Sequence, residues 1–196
     1  MKAILGIIEP STGSVEVFGS TMKDINVRKR IGFMPENTYL YKYLTGDEFL
    51  DFNGKFYDLD SVTLEKRKTW VLEKVGLHHA RWKRLNAYSK GMLQRIGLAQ
   101  AILHDPEMIF LDEPMSGLDP VGRKMIKNLL IELKEDGKTI FFNTHILSDV
   151  EAICDSFGMI VDGKIVANMK IGDLHESLED FFMRKVEELG GIERVE

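Results

Sequence analysis

Two adjacent acids, Asp112 and Glu113, are the residues of this chain whose type and position most directly suggest chemistry. They close an uninterrupted apolar run, Met108, Ile109, Phe110 and Leu111, and Pro114 follows at once. A continuous run, rather than an alternating one, predicts a strand buried on both faces. A buried strand cannot hold bare carboxylates in its interior. The two acids therefore belong at its carboxyl end, where open α/β sheets bind their ligands. Together they suit a Mg²⁺ ion with its waters and a polarised attacking water. Taken alone, the strand is equally compatible with a solvated acidic turn.

The flanks separate these two readings. Upstream, Ser89, Lys90 and Gly91 stand just ahead of a helical pattern formed by Leu93, Ile96, Gly97, Gln100, Ala101 and Leu103. A Ser and a Gly at a helix start offer a hydroxyl and free backbone N–H groups, which is an anion site. Downstream, residues 116–120 form a tight polar turn that contains Asp119 and leads into another helix. A second apolar strand over 139–143 then ends in Thr144 and His145. A lone His is usually structural or solvated, but this one follows a core strand at the same predicted sheet edge as Glu113.

The remaining elements must position these groups. Residues 1–8 are amphipathic and end in a Pro-Ser-Thr-Gly turn, and 14–18 alternate as in a half-buried strand. Residues 25–30 read as a basic, solvated connector, and 31–34 as a short strand ended by Pro35 and Glu36. Three tyrosines, Tyr39, Tyr41 and Tyr43, then crowd into a stretch too short for all of them to face one core, which predicts an exposed sticky patch. Thr45 and Glu48 make a capping box for a helix that carries Phe49, Leu50, Phe52 and Phe56. A second helix covers 61–75 and stops at Gly76. His78 and His79 are adjacent and diverge on a helix, so they make no metal site. After the 116–120 turn, Val121, Met125, Ile126, Leu129, Leu130 and Leu133 mark one helix face. Residues 139–143 read as a buried strand and 146–154 as a helix. Asp162-Gly163 joins two strands in a hairpin, and 172–189 is a helical tail.

With 196 residues, 44% of them hydrophobic and 29% charged, the chain has the composition of a globular protein with a sizeable core. A net charge of −5 gives no reason to expect a nucleic-acid partner. The single cysteine, Cys154, excludes an intrachain disulfide, and packing is its expected role. No apolar run is long enough to cross a membrane.

The order of these elements over residues 88–145 resembles the ATP-binding cassette (ABC) ATPases: signature sequence, Walker B strand, D-loop, switch histidine. The resemblance implies an α/β fold, a P-loop NTPase (RecA-like) parallel sheet core with an inserted α-helical subdomain, N-terminally incomplete. The boundaries it implies are 1–35 and 105–170 for the ATPase core, 36–104 for the Q-loop, helical subdomain and signature helix, and 171–196 for a C-terminal tail. The family's phosphate-binding loop, the Walker A motif, would stand just before Met1. No Gly-x-x-x-x-Gly-Lys-Ser/Thr spacing occurs in the chain, so the expectation is a truncated and inactive piece. By resemblance, ATP and Mg²⁺ are the ligands. Glu113 polarises the attacking water, Asp112 holds Mg²⁺ through water, and His145 contacts the γ-phosphate. Ser89, Lys90 and Gly91 grip the nucleotide of a second ATPase subunit, and Asp119 lies in the dimer seam. Glu36 stands where the family commonly has a glutamine that touches the metal or the attacking water. Lys90 departs from the commoner glycine.

The implied partners are that second subunit, in a homodimer or heterodimer, and a multispan membrane subunit docked near 36–44 and the helical subdomain. The implied place is the cytoplasmic face of the cell membrane, and the implied role is export of drugs, peptides or ions. A cassette ATPase of translation or repair, or a non-catalytic gene remnant, are the other readings.

Overall fold

The computed structural model describes residues 1–37 and 40–190. Tyr39, one of the three patch tyrosines, lies outside the described residues. The chain divides into two compact units, Met1–Asn143 and Thr144–Glu196.

The first unit begins with a helical-type turn in which Leu5 N–H donates to the Met1 carbonyl. Leu5, Val17, Met22, Val27 and Ile31 bury against Phe110. The alternating stretch 14–18 does not form the expected strand. Phe18 and Gly19 both take positive φ, and only an isolated bridge joins Val17 to Ser20. The alternation instead places Val17 in the core from within a turn. Residues 25–30 are likewise not a mere connector. Asp24 accepts from Asn26 N–H and caps a short helix, α1 (Ile25–Lys29), which buries Val27.

Strand β1 (Ile31–Met34) follows, and then the predicted helical insert. Helix α2 (Gly46–Gly54) starts at the Thr45/Glu48 capping box, with both reciprocal bonds present. Helix α3 (Ser61–Lys74) is capped by Asp60, and Gly76 at φ 65° provides the stop. Helix α4 (Lys90–Ile102) is capped by Ser89. One ion cluster ties α2, α3 and the 3₁₀ turn His78–Ala80 together. The Lys68 ammonium lies 3.1 Å from Asp47, and Arg81 Nε donates to the same carboxylate at 2.7 Å. Lys68 and Arg81 are 5% and 7% exposed, so breaking this cluster would strand buried charge.

Strand β2 (Met108–Asp112), helix α5 (Pro120–Glu135) and strand β3 (Thr139–Asn143) complete the unit. The three strands are parallel in the order β1-β2-β3, with Met34 beside Leu111 and Asp112 beside Asn143. Ile109, Phe110 and Leu111 are fully buried, as their continuous apolarity requires. Helix α4 comes very close to β1. A Cβ on Gly32 would lie 2.0 Å from the Ala101 carbonyl oxygen, so only glycine admits this crossing. Helix α5 buries Ile126, Leu129, Leu130 and Leu133, but Val121, expected on that face, is 73% exposed in the first turn. Strand β3 is not buried on both faces either. Its residues alternate between exposed and half-buried, because among the described residues it pairs with β2 on one side only.

The second unit holds α6 (Leu147–Ile153), β4 (Ser156–Val161), β5 (Lys164–Lys170) and α7 (Leu178–Glu188). Strands β4 and β5 form the predicted antiparallel hairpin. Asp162 and Gly163 both take left-handed φ at its tip, as a two-residue type I′ turn demands. Helix α7 starts later than the predicted 172, at a Ser177 cap, after a 3₁₀ turn over Ile171–Asp173. Phe181, Leu178 and Met159 form this unit's core.

Candidate functional site

Glu113 is the first residue past β2, and its backbone sits at φ +51°. Left-handed backbone is uncommon for a residue with a Cβ and persists only where the surroundings impose it. Here both of its peptide groups are held. Its N–H donates to the Asn143 carbonyl of β3 at 3.0 Å. Its carbonyl accepts from Ser116 N–H at 3.1 Å and from the Gln94 side-chain amide at 2.7 Å. The chain therefore turns sharply out of the sheet at the second acid, and Pro114 and Met115 fold back into the core.

Asp112 ends β2 half-exposed, and the Asn143 amide lies 3.4 Å from its carboxylate. Asp112 and Glu36 line one cleft of about 510 Å³, together with Phe33, Pro35, Lys2 and Gln100. The two carboxylates expected at the metal thus line the same cleft. Among the described residues no group of three or more His, Cys, Asp or Glu forms a ready-made metal cage. One or two carboxylates at a sheet edge fit Mg²⁺, which keeps several waters and takes its other ligands from substrate phosphates.

The signature segment and the loop after β2 also meet. The Ser89 hydroxyl accepts from Met92 N–H at 3.2 Å and caps α4. Asp119 caps α5 by accepting from Gly122 N–H at 2.7 Å. The Lys90 stem lies across Gly117, where a Cβ would approach Lys90 Cε to 2.9 Å. Gly117 is itself at φ +68°, so the turn needs glycine both for its backbone and for this contact. A Cβ on Gly91 would touch Leu118 at 3.5 Å. His145 belongs to the second unit, where it is exposed just ahead of α6, and Thr144 Oγ1 accepts from Ile146 N–H at 3.1 Å.

Gln94 was not among the residues that the motifs single out. Its signal was present nonetheless. It lies on the α4 face that buries Leu98 and Ala101, and a polar side chain on an apolar face must find a partner.

Comparison with known proteins bears on the family and the fold. The family model for the ABC transporter matches residues 1–116. An uncharacterised ABC transporter ATP-binding protein of Nostoc sp. is 46% identical over 176 residues, covering 89% of this chain and 52% of that protein. The bacitracin transport ATP-binding protein BcrA of Enterococcus faecalis is 39% identical over 181 residues, covering 90% of this chain and 57% of that protein. The chain spans about half the length of the curated relatives it matches. A solved ATP-binding subunit of an ABC transporter superposes with a TM-score of 0.86 at 29% identity, over 94% of this chain and 81% of that one. The parallel sheet, the acids at the end of β2 and these likenesses together establish that the chain belongs to the ABC transporter family of ATP-binding proteins.

Proposed function

We propose that this chain belongs to the ATP-hydrolysing subunit of an exporter-type ABC transporter. The observation that carries the reading is Glu113, held in left-handed backbone directly after Asp112 at the carboxyl end of β2. The chemistry is phosphoryl transfer to water, in which the protein supplies position and charge stabilisation. Glu113 orients the attacking water and accepts its proton. Asp112, with Glu36 lining the same cleft, would hold Mg²⁺ through its waters. Mg²⁺ bound there would draw charge from the phosphate oxygens. His145 contacts the γ-phosphate. Ser89, Lys90 and Gly91 meet the nucleotide of a second ATPase subunit, with Asp119 in the seam.

The chain contains no Gly-x-x-x-x-Gly-Lys-Ser/Thr spacing, and in this chemistry the amides and lysine of that loop cradle the β- and γ-phosphates. The pure 196-residue chain is therefore expected to release no phosphate from ATP above background. Steady release that Glu113→Gln abolishes would overturn that expectation.

The membrane partner is proposed to dock on an aromatic ladder in the first unit. Tyr41 meets Phe52 edge-on at 5.4 Å, and Phe52 meets Phe56 in the same way. Tyr41, Phe56 and Tyr43 are 61%, 63% and 84% exposed, beyond what a lone domain needs. Among the described residues no helix is long and apolar enough to cross a membrane. Changing Tyr41 and Tyr43 to Ser should leave the folded stability of the subunit intact and weaken co-purification with a multispan membrane protein. Undiminished co-purification would remove the docking surface. The bacitracin transport relative supports a role in transport.

A further inference from the structure

We infer that Gln94 is a positioning residue for Glu113, clamping the Glu113 carbonyl so that its backbone stays left-handed and its carboxylate stays aimed at the reacting water. This rests on the reading of Glu113 above.

The geometry is specific. Gln94 is only 8% exposed, and its Nε2–H donates to the Glu113 carbonyl at 2.7 Å. On the other side, Glu113 N–H is fixed by the Asn143 carbonyl at 3.0 Å. With both peptide planes held by elements outside the loop, φ at Glu113 is set from outside too. The bond from Ser116 comes from within the loop and moves with it, whereas the bond from Gln94 ties this carbonyl to a helix.

That helix is α4, and Gln94 lies about one and a half turns after its Ser89 cap. The same helix start presses Lys90 on Gly117 and Gly91 near Leu118. Helix α4 therefore grips the loop after β2 at both ends, at Glu113 and at Gly117. A displacement of the Ser89–Gly91 end by a neighbouring subunit's phosphate would reach Glu113 through a single hydrogen bond. Nothing in a packing role for Gln94 requires its amide to point at this one carbonyl.

The test needs no nucleotide. In the 196-residue chain, the ¹³Cα and ¹³Cβ shifts and the H^N–Hα coupling of residue 113 report left-handed backbone. Gln94→Met keeps the length of the side chain and removes the donor. It should move those values toward ordinary averaged backbone, while amide protection in 109–111 is retained. Unchanged values in the folded variant would overturn the clamp. Gln94→Glu provides the second arm, because its carboxyl can donate only when protonated, and burial raises a carboxyl pKa to as much as about 8–9. Titrated from about pH 5 to 9, this variant should lose the left-handed values as the introduced carboxyl ionises and regain them on return. A merely structural defect would not be reversed by a proton, so values at residue 113 that stay constant while the carboxyl carbon shift of residue 94 titrates would overturn the inference even if Gln94→Met failed to fold. Failure of the catalytic reading is distinct, since it would appear only as undiminished turnover in Glu113→Gln.

Discussion

When the chain is extended ahead of Met1 by a strand and a phosphate-binding loop, Glu113→Gln is expected to slow ATP hydrolysis by about 10²–10⁴-fold, the usual cost of losing a positioned base. The substitution preserves size, and both hydrogen bonds of the clamp engage only the main chain of residue 113, so the left-handed turn survives. Gln can still hydrogen-bond a water, but it cannot take the proton. ATP should therefore remain bound, and the nucleotide-bound dimer should accumulate on a sizing column. Turnover at the parental rate would remove Glu113 from the role of base. Glu113→Gly gives the complementary result. It relieves a backbone strain of order 1–3 kcal/mol, so it should be no less stable than the parent while equally slow. Activity and stability would then part at one residue, as expected where strain serves a site.

The sequence made the ends of elements easiest to read. Thr45, Ser89 and Asp119 are each predicted at a helix start or in the turn before one, and all three are N-caps. Side-chain capping is a local event and needs no tertiary information. The same holds for the Asp162-Gly163 turn and for the buried run that delivers Asp112 and Glu113 to the sheet edge. What remained hidden depended on distant partners. Residues 14–18 alternate like a strand, but among the described residues no neighbour pairs with them beyond one bridge to Ser20. Strand β3 has a core composition and, among the described residues, an edge position, and composition does not report position. Asp47, Lys68 and Arg81 look like solvated helix charges until three separate elements fold them together. Gln94 stands between the two: its place on an apolar helix face was legible, but its partner, a carbonyl 19 residues away, was not.

Acid should weaken this protein through one imidazole far from the phosphate chemistry. His104 follows the end of α4, stacked on Tyr57 with ring centroids 3.5 Å apart and planes within 5°. Its Nε2–H donates to the Ile31 carbonyl of β1 at 3.1 Å, since a carbonyl can only accept. Its Nδ1 is buried with no hydrogen-bond partner among the described residues. A proton there would be a buried charge on an unsatisfied donor. Burial is accordingly the main cause that lowers the His104 pKa from 6.5 to about 4. Arg67 and Lys138 push the same way, against the Ile31 bond and Asp105. The sign follows from linkage. Above pH 6.5 the ring is neutral both folded and unfolded, and its contribution is whole. Between pH 6.5 and about 4 only the unfolded chain takes the proton, so stability falls with pH, and below that the loss levels off. At about 1.4 kcal/mol per pH unit, the drop amounts to about 3 kcal/mol, a large share of a stability that is typically 5–15 kcal/mol. Urea unfolding at pH 7 and near pH 4 checks this against His104→Phe, which keeps a ring on Tyr57 and cannot titrate. The variant starts lower, having lost the Ile31 bond, but should lose about 3 kcal/mol less than the parent over that interval. Parallel losses in the two proteins would mean that His104 accepts its proton without unfolding, through a turn of the ring or an entering water that gives Nδ1–H a partner.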